Sequence, residues 1–239
     1  MKYTYLLIDF FTVFLPLCFS FNPKIAFTKI WPVFFPAVFI TAIFFVFGDI
    51  FFTGFKIWGF NYKYVTGYVF VNLPIEEVLF FFCIPYACVF TYHSLNILYF
   101  KNKTLIDDKL FTLIFIVSLI IVAIIFHSKI YTVFAFTLLA VLLLVSKYLL
   151  KVKWLTRFYM TYVVLLLPFF VVNGLLTGTG INEPIVWYNK STYIGLRLLT
   201  IPVEDIFYGI DLILLNVIIL TMIQSRVKKN ELVNITRAN

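Results

Sequence analysis

Two acidic stretches of sequence, 128 residues apart, decide how this chain folds. Residues 74–80 read PIEEVLF and residues 202–208 read PVEDIFY. The segments before them match at the same offset, since residues 57–61 read IWGFN and residues 185–189 read IVWYN. A repeat of this length sets the architecture of a protein. The sequence therefore predicts two similar halves, each with an acidic pair at the start of a helix.

The composition predicts that these helices lie in a membrane. The chain has 239 residues, of which 63% are hydrophobic and 13% charged. A soluble domain averages about 25% charged residues, whereas a bilayer accommodates roughly 20 apolar residues in each crossing helix. We therefore expect an all-α, polytopic membrane bundle of about seven transmembrane helices. The predicted crossings are residues 3–20, 31–47, 75–100, 110–127, 130–150, 157–173 and 202–223.

The repeat divides the predicted bundle into four segments. These are a first three-helix repeat (1–100), a linker containing the fourth helix (101–129), a second three-helix repeat (130–223) and a polar C-terminal tail (224–239). Because one odd helix separates two sets of three, the two repeats run parallel, related by an axis along the membrane normal. Both acidic pairs should consequently lie at the same membrane face.

The basic residues predict the orientation of the bundle. The net charge is +8, but the lysines and arginines lie between apolar segments, which favours contact with membrane lipid and gives no indication of nucleic-acid binding. Counted on alternate sides, six fall on one face and thirteen on the other. The richer side is expected to be cytoplasmic. We therefore expect a multi-pass plasma-membrane protein with an outer N-terminus, outer acidic pairs and a cytoplasmic C-terminus.

The acidic pairs have two interpretations. Acids in a first helical turn complement the helix macrodipole, and proline is favoured there, so all four could serve only as helix-end stabilisers. Each pair is, however, followed at once by an apolar run, and ionisable groups at that depth are usually functional. Two nearby carboxyl groups can also donate and accept protons. The sequence has no His/Cys cluster with metal-ligand spacing and no phosphate-binding glycine motif.

Further candidates lie around the acidic pairs. Three aromatic residues, Trp58, Trp187 and Tyr208, lie near the acidic helix starts and are candidate substrate contacts through cation–π attraction, although interfacial belt residues have the same pattern. Asp211 follows Glu204 by seven residues, which places it on the same helical face about 10 Å deeper. Asp211 is a candidate for the substrate cavity. Asp9 and Asp49 are secondary candidates, each a lone acid near or within an apolar run.

The motifs resemble those of a known family. Pro74-Ile75-Glu76-Glu77 and Pro202-Val203-Glu204-Asp205 are similar to the paired motifs of the small integral-membrane lycopene cyclases, here in the fused single-chain form. The resemblance implies an isomerase (an intramolecular lyase) that converts the ψ-ends of lycopene to β-ionone rings, giving γ-carotene and β-carotene without flavin or another cofactor. Other carotenoid-pathway enzymes are possible partners.

The resemblance also implies the catalytic residues, which are Glu76, Glu77, Glu204 and Asp205. The working hypothesis makes Glu76 or Glu204 the proton donor, with its neighbour or the facing pair accepting the final proton. The main alternative function is a proton- or ion-coupled transporter, since intramembrane carboxylates also mark ion pathways. A retinal-binding protein is disfavoured because the seventh crossing has no lysine.

Overall fold

The computed structural model describes residues 1–100 and 108–238, with side chains to residue 230. Within these residues the chain forms seven α-helices and six short strands. In chain order they are α1 (Thr4–Ser20), α2 (Trp31–Gly54), β1 (Trp58–Phe60), β2 (Val69–Phe70), β3 (Leu73–Pro74), α3 (Ile75–Leu98), α4 (Lys109–Ile125), α5 (Ile130–Leu144), α6 (Leu155–Thr177), β4 (Val186–Tyr188), β5 (Arg197–Leu198), β6 (Ile201–Pro202) and α7 (Val203–Ala238).

The all-α membrane bundle predicted from composition is confirmed. Within the described residues, five helical segments are long and apolar enough to cross a bilayer; they contain α2, α3, α5, α6 and α7. The other two, α1 and α4, have 17 residues each. At 1.5 Å per residue they measure about 25 Å, somewhat less than the roughly 30 Å hydrocarbon core.

Three helices continue beyond the predicted crossings. The sixth predicted crossing ends at residue 173, whereas α6 extends to Thr177. The second predicted crossing ends at residue 47, whereas α2 extends to Gly54 and therefore includes Asp49. The seventh predicted crossing ends at residue 223, whereas α7 continues through the polar tail to Ala238. The linker prediction falls partly on residues 101–107, which lie outside the described residues.

The helices of the two repeats correspond at slightly different offsets. Starts of α1 and α5 differ by 126 residues, those of α3 and α7 by 128, and those of α2 and α6 by 124. The connection after α6 is longer than the one after α2, which accounts for the smaller value. At an offset of 124, Phe34 corresponds to Phe158 and Val38 to Tyr162, and all four are buried.

Matching loops position the acidic helix starts. β2 pairs with β3, and β5 pairs with β6, each as a tight antiparallel hairpin directly before α3 or α7. The turn residues Val71 and Leu199 both adopt the left-handed conformation, with φ of 58° and 57°. Pro74 has φ −57° and ψ 146° and so cannot belong to the helix it precedes. The same backbone path therefore leads into both acidic pairs.

Candidate active site

The two long loops meet at one end of the bundle. β1 and β4 pair antiparallel, and backbone hydrogen bonds flank them symmetrically. The Asn61 N–H donates to the Ile185 carbonyl at 2.8 Å, and the Asn189 N–H donates to the Ile57 carbonyl at 2.9 Å. The two bonds are equivalent under the 128-residue repeat, since Asn61 corresponds to Asn189 and Ile57 to Ile185. The loops therefore lie on the same side of the bundle, which brings both acidic pairs to one end, as the parallel repeat predicts.

The second acid of each pair accepts a hydrogen bond from a tyrosine of its own repeat. The Tyr5 hydroxyl donates to Glu77 Oε2 at 2.6 Å, and the Tyr131 hydroxyl donates to Asp205 Oδ1 at 2.6 Å. Both tyrosines are the second residue of their helices, α1 and α5, and both are buried. The first and third helices of each repeat are thus linked through these acids.

The first acid of each pair is bound to its own loop. The Thr66 N–H donates to Glu76 Oε1 at 2.6 Å, and the Ile194 N–H donates to Glu204 Oε1 at 2.8 Å. Thr132 Oγ1 also donates to Glu204 Oε1, at 2.6 Å. Both side chains are fully buried. These contacts attach the loops to the helix starts.

An apolar chamber of about 750 Å³ lies between α1 and α3 on one side and α6 and α7 on the other. Asp49, Glu77 and Asp205 line it, whereas Glu76 and Glu204 are not among its lining residues. The remaining lining is mostly aliphatic and aromatic. Thus one acid from each motif, together with an acid of α2, faces a common space.

The chamber opens sideways between α1 and α6. Leu7, Phe11 and Leu15 of α1 line it, as do Leu167 and Val171 of α6, and all five are exposed on the outer surface of the bundle. Leu167 is the most exposed, at 77%. In a bilayer this apolar surface faces lipid tails. A hydrophobic molecule dissolved in the membrane could therefore reach the acids without crossing water.

Asp49 belongs to the same group of acids. It is 1% exposed and accepts a hydrogen bond from the Tyr208 hydroxyl at 2.8 Å. Trp58 and the Glu77 carboxyl group also lie next to Asp49. Sequence reasoning gave Asp49 only a secondary place, and the predicted second crossing ended before it, at residue 47. In the sequence, Asp49 is recognisable only as a lone acid next to an apolar run.

Four aromatic residues form a cluster at the acidic end of the chamber. Trp58 lies 5.1 Å from Tyr131 and 6.0 Å from Tyr208 between ring centroids, and Tyr131 stacks on Tyr188 at 5.9 Å. The Tyr188 hydroxyl donates to Asp205 Oδ2 at 2.9 Å. Burial, together with the charge of Asp205, raises the pKa of Tyr188 well above its ordinary value, so this hydroxyl remains a donor.

The structure separates the four predicted substrate contacts into two groups. Trp58 and Tyr208 line the chamber, whereas Trp187 and Asp211 do not. Trp187 is 41% exposed, and its indole ring lies so close to Gly59 that a β-carbon there would be 2.4 Å from it. Asp211 is buried.

Asp211 and Asp9 share an unusual environment. Both are buried, and within the described residues no oxygen of either carboxyl group has a hydrogen-bond partner. Neither side chain lines the chamber. Asp9 lies close enough to Glu76 and Glu77 to interact electrostatically with both. Their functions stay predictions.

Three polar residues of the site were missed by sequence reasoning. Tyr5 and Tyr131 contact the second acids, and Asn173 Nδ2 lies 3.4 Å from Asp205 Oδ2. Their matching positions in the first turns of α1 and α5 could have identified the tyrosines. Asn173 could have been noticed as an amide within the apolar sixth crossing.

Fold and site together define a polytopic membrane protein in which two parallel repeats enclose one apolar chamber lined by carboxyl groups. A comparison with protein families gives this class a name. The family model described as lycopene cyclase matches residues 2–95 and 128–223, which correspond to the two repeats. The chain therefore belongs to the lycopene cyclase family. No curated protein and no solved structure matches it.

Proposed function

We propose that this protein cyclises the linear ψ-ends of lycopene to β-ionone rings by acid–base catalysis, giving γ-carotene and then β-carotene. The observation that carries the proposal is the position of Glu77 and Asp205, which come from different repeats and face one apolar chamber. Membership of the lycopene cyclase family supports the carotenoid substrate. It also favours an enzyme over a transporter.

The proposed reaction requires one proton to be added and one removed. A carboxyl group donates a proton to C2 of the terminal double bond, which leaves a cation at C1. The C5–C6 double bond attacks C1, so the C1–C6 bond forms and the positive charge moves to C5. A carboxylate then takes the C6 proton, and the double bond re-forms between C5 and C6. The product is an isomer of the substrate, so the enzyme is an intramolecular lyase that needs no oxidant.

The aromatic cluster suits the cationic intermediate. Trp58, Tyr131, Tyr188 and Tyr208 present ring faces and edges close to the acids. A cation over such rings gains about 2 kcal/mol or more when water is excluded. The apolar lining also keeps water from the carbocation, which water would otherwise trap as an alcohol.

Glu76 and Glu204 have a different part in this proposal. Both accept backbone hydrogen bonds from the loop that precedes their helix. We infer that they position the loops, and with them Trp58 and Tyr188, while the second acids act on the substrate. The earlier hypothesis, in which one of them donates the proton, is the competing assignment.

Expression in lycopene-accumulating cells tests the proposed function. The wild-type chain should convert lycopene to cyclised products, and the Glu77→Gln/Asp205→Asn double variant should leave it unconverted. Glu183→Gln is the matched control, since Glu183 is an exposed loop carboxylate that is bound by Asn61 and Lys63. Unconverted lycopene with well-expressed wild-type protein would contradict the proposal.

We further propose the plasma membrane as the location, with a cytoplasmic C-terminus, because of the excess of basic residues on that side. Thiol labelling of intact cells tests the orientation, using Cys at position 62 in the acidic-side loop and at position 228 near the C-terminus. The loop variant Tyr62→Cys should react with an impermeant reagent. The same result for Lys228→Cys alone would reverse the orientation.

A further inference from the structure

The two repeats differ at the residue next to the second acid. At the offset of 124 that relates α2 to α6, Asp49 corresponds to Asn173. Both side chains line the chamber. Asp49 lies next to Glu77, and Asn173 Nδ2 lies 3.4 Å from Asp205 Oδ2. Equivalent positions thus carry a carboxyl group in one repeat and a carboxamide in the other.

This difference changes which protonation state each second acid favours. Ionised carboxylates only accept hydrogen bonds and repel each other, so the adjacent Asp49 and Glu77 carboxyl groups favour holding one proton between them. Asp205 has the Asn173 amide at the position of that second carboxyl group, and Tyr131 and Tyr188 also donate to it. Donors favour an ionised carboxylate, whereas two adjacent carboxyl groups such as Asp49 and Glu77 repel each other when both are ionised.

We propose that Asp49 is a third catalytic carboxyl group, and that the Asp49/Asn173 difference makes the Glu77–Asp49 pair the proton donor and Asp205 the acceptor. The inference rests on the proposed cyclase function. The pair transfers its proton to the substrate alkene and becomes doubly ionised, while Tyr5 donates a hydrogen bond to Glu77 and Tyr208 donates one to Asp49. Asp205 takes the proton released by the ring. Once the product has left the chamber, Asp205 releases this proton and the pair takes one up, which completes the cycle.

Infrared spectroscopy of the full-length protein in lipid tests the shared proton directly. The carbonyl stretch of a protonated carboxyl group should lose one component in Asp49→Asn and in Glu77→Gln, and none in Asp205→Asn. Asp9→Asn provides a comparison, since it removes a buried carboxyl group that does not line the chamber. An unchanged spectrum in both Asp49→Asn and Glu77→Gln would overturn the assignment.

Cyclisation rates test whether the pair acts as a unit. We expect Asp49→Asn to lower the rate about 100-fold, within the range of general acid catalysis, and Asp49→Glu to restore part of it. The Asp49→Asn/Glu77→Gln double variant should be no slower than Glu77→Gln alone, because residues that act together are strongly non-additive. Additive losses, or full activity in Asp49→Asn, would contradict a catalytic role.

These results can be separated from failure of the proposed function. If the wild-type protein cyclises no carotenoid, the proposed function is wrong, and so is the catalytic role of Asp49, whatever the infrared spectrum shows. If it does cyclise, the spectrum and the double variant decide the assignment of the pair by themselves.

Discussion

The space beside α2 is filled with side chains, whereas the equivalent space beside α6 is an open chamber. Next to α2, a compact cluster fills the interior; its buried members are Ala42, Phe45, Phe81 and Leu212. Next to α6, the equivalent region is the chamber. Within the described residues, two halves with matching loops and matching acids therefore leave a chamber on one side and pack tightly on the other. Both repeats contribute acids to the chamber, and the cavity exists because the two repeats pack differently.

One position accounts for much of this difference. Phe81 of α3 corresponds to Gly209 of α7, since the acidic motifs align at 128. Phe81 stacks on Phe45 with 5.8 Å between ring centroids. A β-carbon at Gly209 would lie 2.9 Å from the Tyr162 hydroxyl and 3.4 Å from the Phe169 ring. Glycine thus lets α6 approach α7 while space remains in front of the acids.

Apart from changes to the catalytic acids themselves, the largest expected effect comes from filling the chamber. Gly209→Phe places in α7 the side chain that its counterpart has in α3. Because the ring would occupy the chamber and displace Tyr162, we expect cyclisation to fall about 100-fold or more. The measurement is lycopene conversion per folded enzyme. Near-normal conversion by a well-folded variant would show that this space does not hold the substrate.

The reciprocal change should affect stability and leave the reaction intact. Phe81→Ala removes a buried ring from the filled side, which costs about 3–5 kcal/mol. We expect a lower unfolding temperature in lipid or detergent, with the rate per folded molecule retained. A selective loss of rate with normal stability would indicate that the filled side also takes part in catalysis.

A further prediction concerns the order of the two cyclisations. With one chamber that opens between α1 and α6, the two ends of a carotenoid must react in separate binding events. Labelled lycopene, chased with a large excess of unlabelled lycopene after the first ring has formed, should therefore remain monocyclic. Continued formation of labelled bicyclic product at the earlier rate would show that both ends react without release.

Much of the fold could be predicted from the sequence, because apolar length and the 128-residue repeat depend on local composition. The meeting of the two acidic pairs followed from the odd number of linking helices. The chamber could not be predicted, since it depends on which of two equivalent spaces is filled. The correspondence of Asp49 with Asn173 was also hidden, because the longer loop after α6 shifts the alignment by four residues.

If lycopene enters the chamber from the bilayer, a larger residue at its mouth should slow conversion by a smaller, several-fold factor. Leu167→Trp enlarges the most exposed residue at the mouth of the chamber, which should slow conversion of lycopene supplied in liposomes. Ile43→Trp is the matched control, because Ile43 corresponds to Leu167 at the offset of 124 and is 56% exposed on α2. Equal rates in the two variants would contradict entry between α1 and α6.

The smallest effect is expected at a contact that only the second repeat makes. Thr132 donates to Glu204, whereas the corresponding residue of α1, Leu6, has no hydroxyl group. Thr132→Val should cost about 1–2 kcal/mol of stability and leave the cyclisation rate of the folded protein nearly unchanged. Thermal unfolding checks this, with Thr221→Val, a hydroxyl bonded within its own helix, as control. A large loss of rate would place Glu204 closer to the chemistry.

The central claim is that the second acid of each motif performs the proton transfers and the first positions the loops. The most direct test compares cyclisation rates of Glu76→Gln, Glu77→Gln, Glu204→Gln and Asp205→Asn, each normalised to folded protein. We predict losses of about 100- to 10,000-fold for Glu77→Gln and Asp205→Asn. The glutamines at positions 76 and 204 can still accept the backbone hydrogen bonds, so those variants should stay active. The reverse result, with Glu76→Gln or Glu204→Gln inactive and Glu77→Gln and Asp205→Asn active, would contradict the account.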